Sequence, residues 1–120
     1  MSKEEAHREK YENFKKDAMN EDLFIPSRIE LYFDSAFHLI DMVCARFRLH
    51  IDMHKNVRRM ISSHREVFKD DTETVCANFE ELEKMIRPGQ VYGSPINGKS
   101  LEKTKGIFET LEKICLGIIS

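Results

Sequence analysis

Apolar residues recur every three or four positions along most of this chain, the spacing that places them on one face of an α-helix. No segment alternates apolar and polar residues in the way that a half-buried β-strand does. The recurrence is interrupted most clearly at positions 87–99, where Pro-Gly, Ser-Pro and Asn-Gly pairs indicate turns. The pattern predicts an all-α protein with one long loop.

The N-terminal segment, residues 1–20, is predicted to form a peripheral helix. Ser2 and Glu5 have the spacing of a capping box, in which the two residues satisfy each other's backbone N–H groups. The apolar stripe that follows is narrow and consists of Ala6, Tyr11, Phe14 and Ala18. We therefore expect a mostly solvated helix that contacts the core on one side.

The second predicted helix runs from Pro26 to about Arg48 and is apolar over more than half of its circumference. Proline suits the first turn of a helix because its missing N–H would have no helical partner there. A helix with so wide an apolar surface is either surrounded by other helices or lies in a dimer interface. For a dimer, the expected interface residues are Phe33, Phe37, Ile40, Val43 and Phe47.

Two shorter apolar patterns follow. A third helix is expected from about His54 to Phe68. The N-terminus of a fourth helix can be capped by Asp70, Asp71 or Thr72.

Proline and serine set the predicted boundaries nearer the C-terminus. Pro88 disfavours the helical conformation of the residue before it, so the fourth helix is expected to end at Arg87. A loop then follows as far as Lys99, and Ser100 is the predicted N-cap of the last helix.

Length and charge limit the remaining possibilities. The chain has 120 residues, of which 41% are hydrophobic, enough to bury one core without a metal or a disulfide. We expect a single domain over residues 1–120, with the bundle core at 26–119. The net charge of −2 gives no global positive field, so binding to nucleic acid needs a local basic patch.

Cysteine usage points to a reducing compartment. Cys44, Cys76 and Cys115 are an odd number, far apart, and lie in helical apolar patterns, so we expect free core thiols. The charged N-terminus lacks a signal-peptide apolar region, and no segment is apolar enough for a membrane span. These features predict a cytoplasmic protein with no membrane partner, and nothing in the sequence indicates a cofactor.

A run in the second helix resembles the signature of the HEPN superfamily. The segment Phe33–Ile40 reads FDSAFHLI and is similar to that family's aromatic-rich segment. It is followed by Leu49-His50 and by a helix start at His54 that reads HKNVRR. The likeness continues at positions 85–87, 91–92 and 100, and it covers roughly residues 26–118.

The resemblance implies an up-and-down bundle of four to five helices, usually a homodimer packed through its long helices. In many family members it also implies a metal-independent ribonuclease, or a partner of a minimal nucleotidyltransferase in a toxin–antitoxin module. The family's ribonuclease motif is RxxxxH, in which arginine stabilises phosphate charge and histidine transfers a proton.

Two places compare with that motif. By position in the family pattern, the counterpart is Arg87 with Tyr92, where a tyrosine replaces the histidine. A phenol with an ordinary pKa near 10 is a poor base at neutral pH, so the arginine is kept and the proton shuttle is lost. Arg59 and His64 have the literal spacing, but on a helix their side chains would lie about 140° apart.

Basic residues are concentrated around the third helix in a slightly acidic chain. A phosphate or nucleic-acid contact surface would use Arg46, Arg48, Lys55, Arg58, Arg59 and Arg87. The alternative is an ordinary solvated helix face, since no aromatic residues for base stacking lie between these positions.

The histidines permit a metal interpretation that we do not adopt. His50 and His54 are four residues apart with Asp52 between them, a spacing that can bind zinc on a helix. The segment, however, is predicted to span a helix break and has no further ligand at a suitable spacing. We expect structural histidines and no metal site, and we interpret His38 as a hydrogen-bonded core or interface residue.

Three hypotheses follow. The first is a dimeric HEPN-like domain with little or no catalysis that binds a nucleotidyltransferase partner, RNA or a nucleotide. The second is a metal-independent HEPN ribonuclease. The third is an unrelated helical scaffold without a site.

Overall fold

The computed structural model describes residues 2–90, 95 and 98–120, and no β-strand occurs among them. The α-helices are α1 (Lys3–Ala18), α2 (Ile25–Arg46), α3 (Val57–Ser63), α4 (Thr72–Glu80) and α5 (Gly98–Ile119). Short 3-10 turns precede α3 and α4, at His54–Asn56 and Lys69–Asp71. The predicted all-α class is confirmed, while the up-and-down HEPN arrangement stays a prediction.

Helix α1 begins at the predicted capping box. The Glu5 backbone N–H donates to Oγ of Ser2 over 3.1 Å, and the Ser2 hydroxyl lies 3.0 Å from the Glu5 carboxylate. The helix packs along α2, and its buried Tyr11 stacks on Phe108 of α5. The Ser35 hydroxyl of α2 donates to the Tyr11 carbonyl over 2.8 Å, a buried bond that fixes the two helices against each other.

Helix α2 is the centre of the fold. Thirteen of its 22 residues are buried. Helices α1 and α5 pack against it, and Phe79 of α4 stacks on Phe33 with 5.2 Å between ring centroids. Its wide apolar surface is therefore covered by the chain's own helices.

This packing corrects the predicted dimer interface. Phe33, Ile40 and Val43 are buried within the single chain, with exposures of 2%, 0% and 0%. Phe37 is half-buried, and Phe47 is exposed at 38%. Intramolecular packing therefore covers three of the five predicted interface residues, and the dimer itself stays a prediction.

The third helix is shorter than predicted. α3 ends at Ser63 instead of Phe68, and turns carry the chain on to the 3-10 segment before α4. Val67 and Phe68 are both 2% exposed although they lie outside any helix. The apolar spacing of these residues correctly indicated that they are buried. It did not show that they are helical, because a well-packed turn can bury apolar residues as a helix does.

The fourth helical segment continues past its predicted end. After α4 a π-helical stretch covers Glu81–Ile86, and Arg87 keeps helical angles of −58° and −51°. The Arg87 N–H bonds to the carbonyl of Leu82, five residues back. In this wider turn the ring of Pro88 is accommodated, so the helical backbone extends to Gln90 and the predicted stop at Arg87 is wrong.

Helix α5 begins at Gly98, two positions before the predicted N-cap. Ser100 is inside the first turn, and its carbonyl accepts the hydroxyl of Thr104 over 2.8 Å. The buried face of α5 consists of Leu101, Thr104, Ile107, Phe108, Leu111 and Cys115.

The three cysteines are free and buried, as predicted. Each comes from a different helix, with Cys44 on α2, Cys76 on α4 and Cys115 on α5. Among the described helices, none combines the length and the apolar character that crossing a bilayer requires.

Candidate functional site

Helix α2 is mostly buried, yet it carries the acidic residues Glu30 and Asp34 on neighbouring turns. Glu30, Phe33 and Asp34 have the three-and-four spacing that places side chains on one face. Residues from the chain that follows α2 pack against this face. We call the group the Arg87 cluster, and its members are Glu30, Phe33, Asp34, His54, Glu83 and Arg87.

Arg87 is held in two ways. Its Nε donates to Oε2 of Glu30 over 2.6 Å, and the Arg87 side chain is 18% exposed. Its Cζ lies 4.7 Å from the centroid of the Phe33 ring, within cation–π distance. The π-helical continuation of α4 places Arg87 here, because it keeps the chain helical up to this residue.

His54 reaches the same aromatic ring from the turn before α3. Its ring centroid is 5.1 Å from that of Phe33, with the two planes nearly perpendicular at 79°. Nδ1 of His54 lies 2.5 Å from Oε2 of Glu83, whose side chain is 10% exposed. Phe33 therefore supports both an arginine and a histidine, which the sequence separates widely.

Asp34 is the member with the most perturbed titration. Burial raises its pKa to about 6, and the negative charge of Glu30 acts in the same direction. Arg87 and His54 oppose this rise but do not cancel it. A carboxyl group that titrates near neutrality beside an arginine and a histidine can accept or donate a proton under physiological conditions.

The sequence-predicted motif residues are separated by the structure. Arg87 belongs to the cluster, and Tyr92 lies outside the described residues. Arg59 is exposed on α3, and His64 follows the end of that helix, with Nδ1 3.3 Å from a Glu66 oxygen. Within the described part of the chain, Arg59 and His64 make no contact with each other.

The predicted basic surface is divided by ion pairs. Arg58 bonds both Glu73 and Glu80, with its shortest distance, to Glu80, at 2.6 Å. Arg46 pairs with a Glu4 oxygen over 2.6 Å, and its Nη1 donates to the last turn of α5. With Arg87 paired to Glu30, three of the six predicted phosphate contacts already hold carboxylates, and Arg48, Lys55 and Arg59 are exposed.

The paired histidines of the metal interpretation diverge. His54 joins the Arg87 cluster, whereas Nδ1 of His50 lies 3.5 Å from Oδ2 of Asp41 on α2. The sequence spacing indicated no carboxylate partner near His50, and the structure places the Asp41 carboxylate beside it from the preceding helix, while the expected absence of a metal site stays a prediction. A second group forms around this carboxylate, and we call it the His7 cluster: His7, His38, Asp41 and His50.

Burial acts on both ionisable partners at the centre of the His7 cluster. It raises the pKa of Asp41, which is 1% exposed, and it lowers the pKa of His7. Nδ1 of His38 lies 3.0 Å from Nδ1 of His7, so His38 is the half-buried, hydrogen-bonded residue that the sequence suggested. Burial lowers the pKa of His38 to about 4, so its ring is neutral at pH 7.

The sequence reading missed Glu30, Asp34, Asp41, Glu83 and His7 as site residues. A signal for the three on α2 was available, because charged residues inside a long apolar helix are seldom buried without a partner. Glu83 and His7 lie on polar faces whose composition offers no such signal.

The fold and its clusters define a small all-α protein with an arginine–carboxylate–histidine site on its central helix. Comparisons of the chain with models of known families, with curated proteins and with solved structures find no significant match.

Proposed function

We propose that this chain is a HEPN-like domain that binds RNA or nucleotide phosphate at the Arg87 cluster. The main support for this proposal is the position of Arg87. Its half-buried guanidinium lies over the Phe33 ring and is hydrogen-bonded to the Glu30 carboxylate. An arginine that is preorganised against an aromatic ring and an oxyanion is suited to phosphate, which presents oxygens in a similar geometry.

Phosphate would enter by exchange with Glu30. The Glu30 side chain is 35% exposed, so it can leave Arg87 for solvent. Protonation of Asp34 near pH 6 removes one negative charge from the cluster and lowers the repulsion of a phosphate. Binding is therefore expected to tighten as the pH falls from about 7.5 to about 6, because the pKa of Asp34 lies in that window.

The test is fluorescence anisotropy with a short, labelled, single-stranded RNA. Arg87→Ala removes a charge-assisted phosphate contact and is expected to weaken binding roughly tenfold or more. The matched control is Arg58→Ala, because Arg58 is also held by carboxylates but lies outside the cluster. Equal affinity of Arg87→Ala and the unmodified chain would refute the proposal.

RNA cleavage is a second candidate, favoured by the two titratable groups next to Arg87. In this reaction the ribose 2′-hydroxyl attacks phosphorus, and Asp34 or His54 takes its proton. The bond to the 5′-oxygen breaks, the other group protonates that oxygen, and Arg87 stabilises the charge on phosphate. The products are a 2′,3′-cyclic phosphate and a free 5′-hydroxyl.

Cleavage is tested with purified protein and labelled RNA in the presence of a chelator. Asp34→Asn is expected to abolish the activity, and an RNA with a 2′-deoxy residue at the cleaved position should stay intact. If the unmodified chain leaves single-stranded and structured RNA whole, the catalytic candidate is removed and the binding proposal is judged by anisotropy alone.

A partner surface, for a second copy or for a nucleotidyltransferase, is proposed at the start of α2. An open apolar recess there is lined by Leu23, Phe24, Pro26, Ser27, Glu30 and Leu31. Phe24 is 60% exposed and Leu23 is 37% exposed. Because Glu30 belongs to both this recess and the Arg87 cluster, a partner seated here would adjoin the phosphate site.

Light scattering after size exclusion tests the homodimer. A dimer that becomes monomeric with Phe24→Asp supports this surface, with Met85→Asp as the control at another exposed apolar residue. A monomer at micromolar concentration removes the homodimer, and co-purification with a nucleotidyltransferase then tests the other partner.

A further inference from the structure

The His7 cluster is built from three separate parts of the chain. His7 comes from α1, Asp41 from α2, and His50 from the non-helical residues that follow α2. Nε2 of His7 lies 3.2 Å from Oδ2 of Asp41, and Nδ1 of His50 lies 3.5 Å from the same oxygen. One ligand atom from each residue lies within 4.8 Å of the others.

One oxygen of this group lacks the partner that burial demands. Asp41 is 1% exposed, and its Oδ1 accepts the backbone N–H of Ile51 over 3.1 Å. Its Oδ2 accepts no hydrogen bond from any described residue, although two imidazole nitrogens surround it. A buried carboxylate oxygen without a donor is costly unless a cation balances it.

We infer that His7, Asp41 and His50 form a binding site for a divalent transition-metal ion, with Zn²⁺ the best-fitting class. Ligands about 2.0–2.1 Å from a tetrahedral zinc are separated from each other by about 3.3 Å. The distances of 3.2 and 3.5 Å from Asp41 to the two histidines match that edge. Two imidazoles and one carboxylate are also a set that zinc prefers, with a fourth position left for water.

The outer contacts of the two histidines support the same reading. A metal-bound histidine generally donates its other ring N–H to a carboxylate or another acceptor. For His50, Nε2 lies 3.1 Å from Oδ1 of Asp52 while Nδ1 faces Asp41. For His7, Nδ1 lies 3.0 Å from Nδ1 of His38 while Nε2 faces Asp41. Each ring is thus oriented by one nitrogen and presents the other to the centre.

The turn after α2 is what brings His50 to the site. Arg48 adopts a left-handed conformation with φ of 63°, and Leu49 N–H bonds back to the Cys44 carbonyl over 3.0 Å. This closes the helix and reverses the chain, so that the next residues pass over Asp41. A bound metal would tie α1, α2 and this turn together.

The experiment uses the full chain purified without a histidine tag and treated with a chelator. Zn²⁺ is titrated calorimetrically at neutral pH, and one equivalent per chain with a rise of several degrees in the melting temperature is expected. Co²⁺ then reports the ligands, because thiolate charge-transfer absorption would appear if the buried cysteines were responsible.

Two variants change exposed residues of the site, so they should alter metal binding without unfolding the protein. His50→Ala removes a ligand whose side chain is 46% exposed, and a loss of at least tenfold in Zn²⁺ affinity is expected. Asp52→Ala, at a side chain 81% exposed, removes only the outer contact and should weaken binding roughly tenfold. The matched control is His64→Ala, a histidine 37% exposed beside Glu66.

Each result decides the inference. Loss of binding with His50→Ala and retention with His64→Ala support the site. Absence of stoichiometric binding, equal losses in both histidine variants, or a thiolate spectrum with Co²⁺ would overturn it.

Discussion

Helix α2 carries two polar clusters, and they differ in the groups that balance the charge of their carboxylates. In the Arg87 cluster the balancing cation is a guanidinium, which stays charged at every physiological pH. In the His7 cluster the described residues that pair with the Asp41 carboxylate are His7 and His50, and a histidine carries charge only when it is protonated. The first cluster has its own permanent cation, and the second does not.

This difference separates the ligands that the two clusters can take. A permanent cation whose carboxylate partner is partly exposed can exchange that partner for another oxyanion, which favours phosphate at Arg87. A buried carboxylate between two imidazole rings offers three ligand groups and favours an added cation. Two turns of one helix thus set opposite preferences within a single small domain.

The largest expected effect comes from removing the ring on which the Arg87 cluster rests. Phe33 is 2% exposed and stacks on Phe79, so Phe33→Ala should cost about 3–5 kcal/mol of unfolding free energy in urea denaturation. The control Phe47→Ala, at a residue 38% exposed, should cost less than about 1 kcal/mol. Similar costs for the two variants would contradict the packing. The folded fraction of Phe33→Ala should lose RNA binding and keep Zn²⁺ binding.

Substitution of Asp34 is expected to increase the free energy of unfolding, by less than the Phe33 substitution decreases it. Its folded-state pKa of about 6 exceeds its ordinary value of 3.8, so its favourable contribution exists at low pH and is lost as the pH rises through 6. Asp34→Asn should therefore stabilise the fold at about pH 7.5 by about 1–2 kcal/mol. The difference should vanish near pH 4, as measured by urea denaturation at several pH values.

An Asp34→Asn variant that is less stable than the unmodified chain at neutral pH would contradict the assignment. If the unmodified chain cleaves RNA, the combination of higher stability and abolished cleavage in Asp34→Asn is the expected signature of a functional carboxylate. If Asp34 had only a structural role, its substitution would not raise stability while lowering activity.

The sequence predicted the helices better than their ends. The three-to-four spacing and the Ser2 cap located α1 and α2 within a few residues. The prediction of helix ends was wrong at two places. Val67 and Phe68 are buried but lie outside any helix, and a π-helical turn accommodates Pro88, before which the fourth helix was expected to end. Both failures arise from tertiary packing, which a local propensity does not contain.

The candidate sites were predicted only in part, for a related reason. Arg87 was identified through the family resemblance, but its companions Asp34 and His54 come from separate elements that only the fold brings together. His50 was considered as a metal ligand and set aside because its partners were sought nearby in sequence. The residues that the fold brings to the same place are Asp41 on the preceding helix and His7 on the first one.

The smallest predicted effect tests the turn that joins α2 to the His7 cluster. Arg48 holds φ of 63° without being a glycine, a conformation that costs an L-residue about 1–2 kcal/mol. Arg48→Gly relieves this strain but increases the freedom of the unfolded chain, so a net gain of about 0.5–1 kcal/mol is expected in urea denaturation.

The control is Arg48→Ala, which keeps the strain and removes the same charge, and should leave stability nearly unchanged. Arg48 was also a predicted phosphate contact. Stability measurements on the two variants test its strained backbone, and RNA-binding measurements test its charge. If Arg87 is the phosphate site, both variants should bind RNA like the unmodified chain. An equal loss of RNA affinity in both would instead move the binding surface to the end of α2, next to the metal ligands.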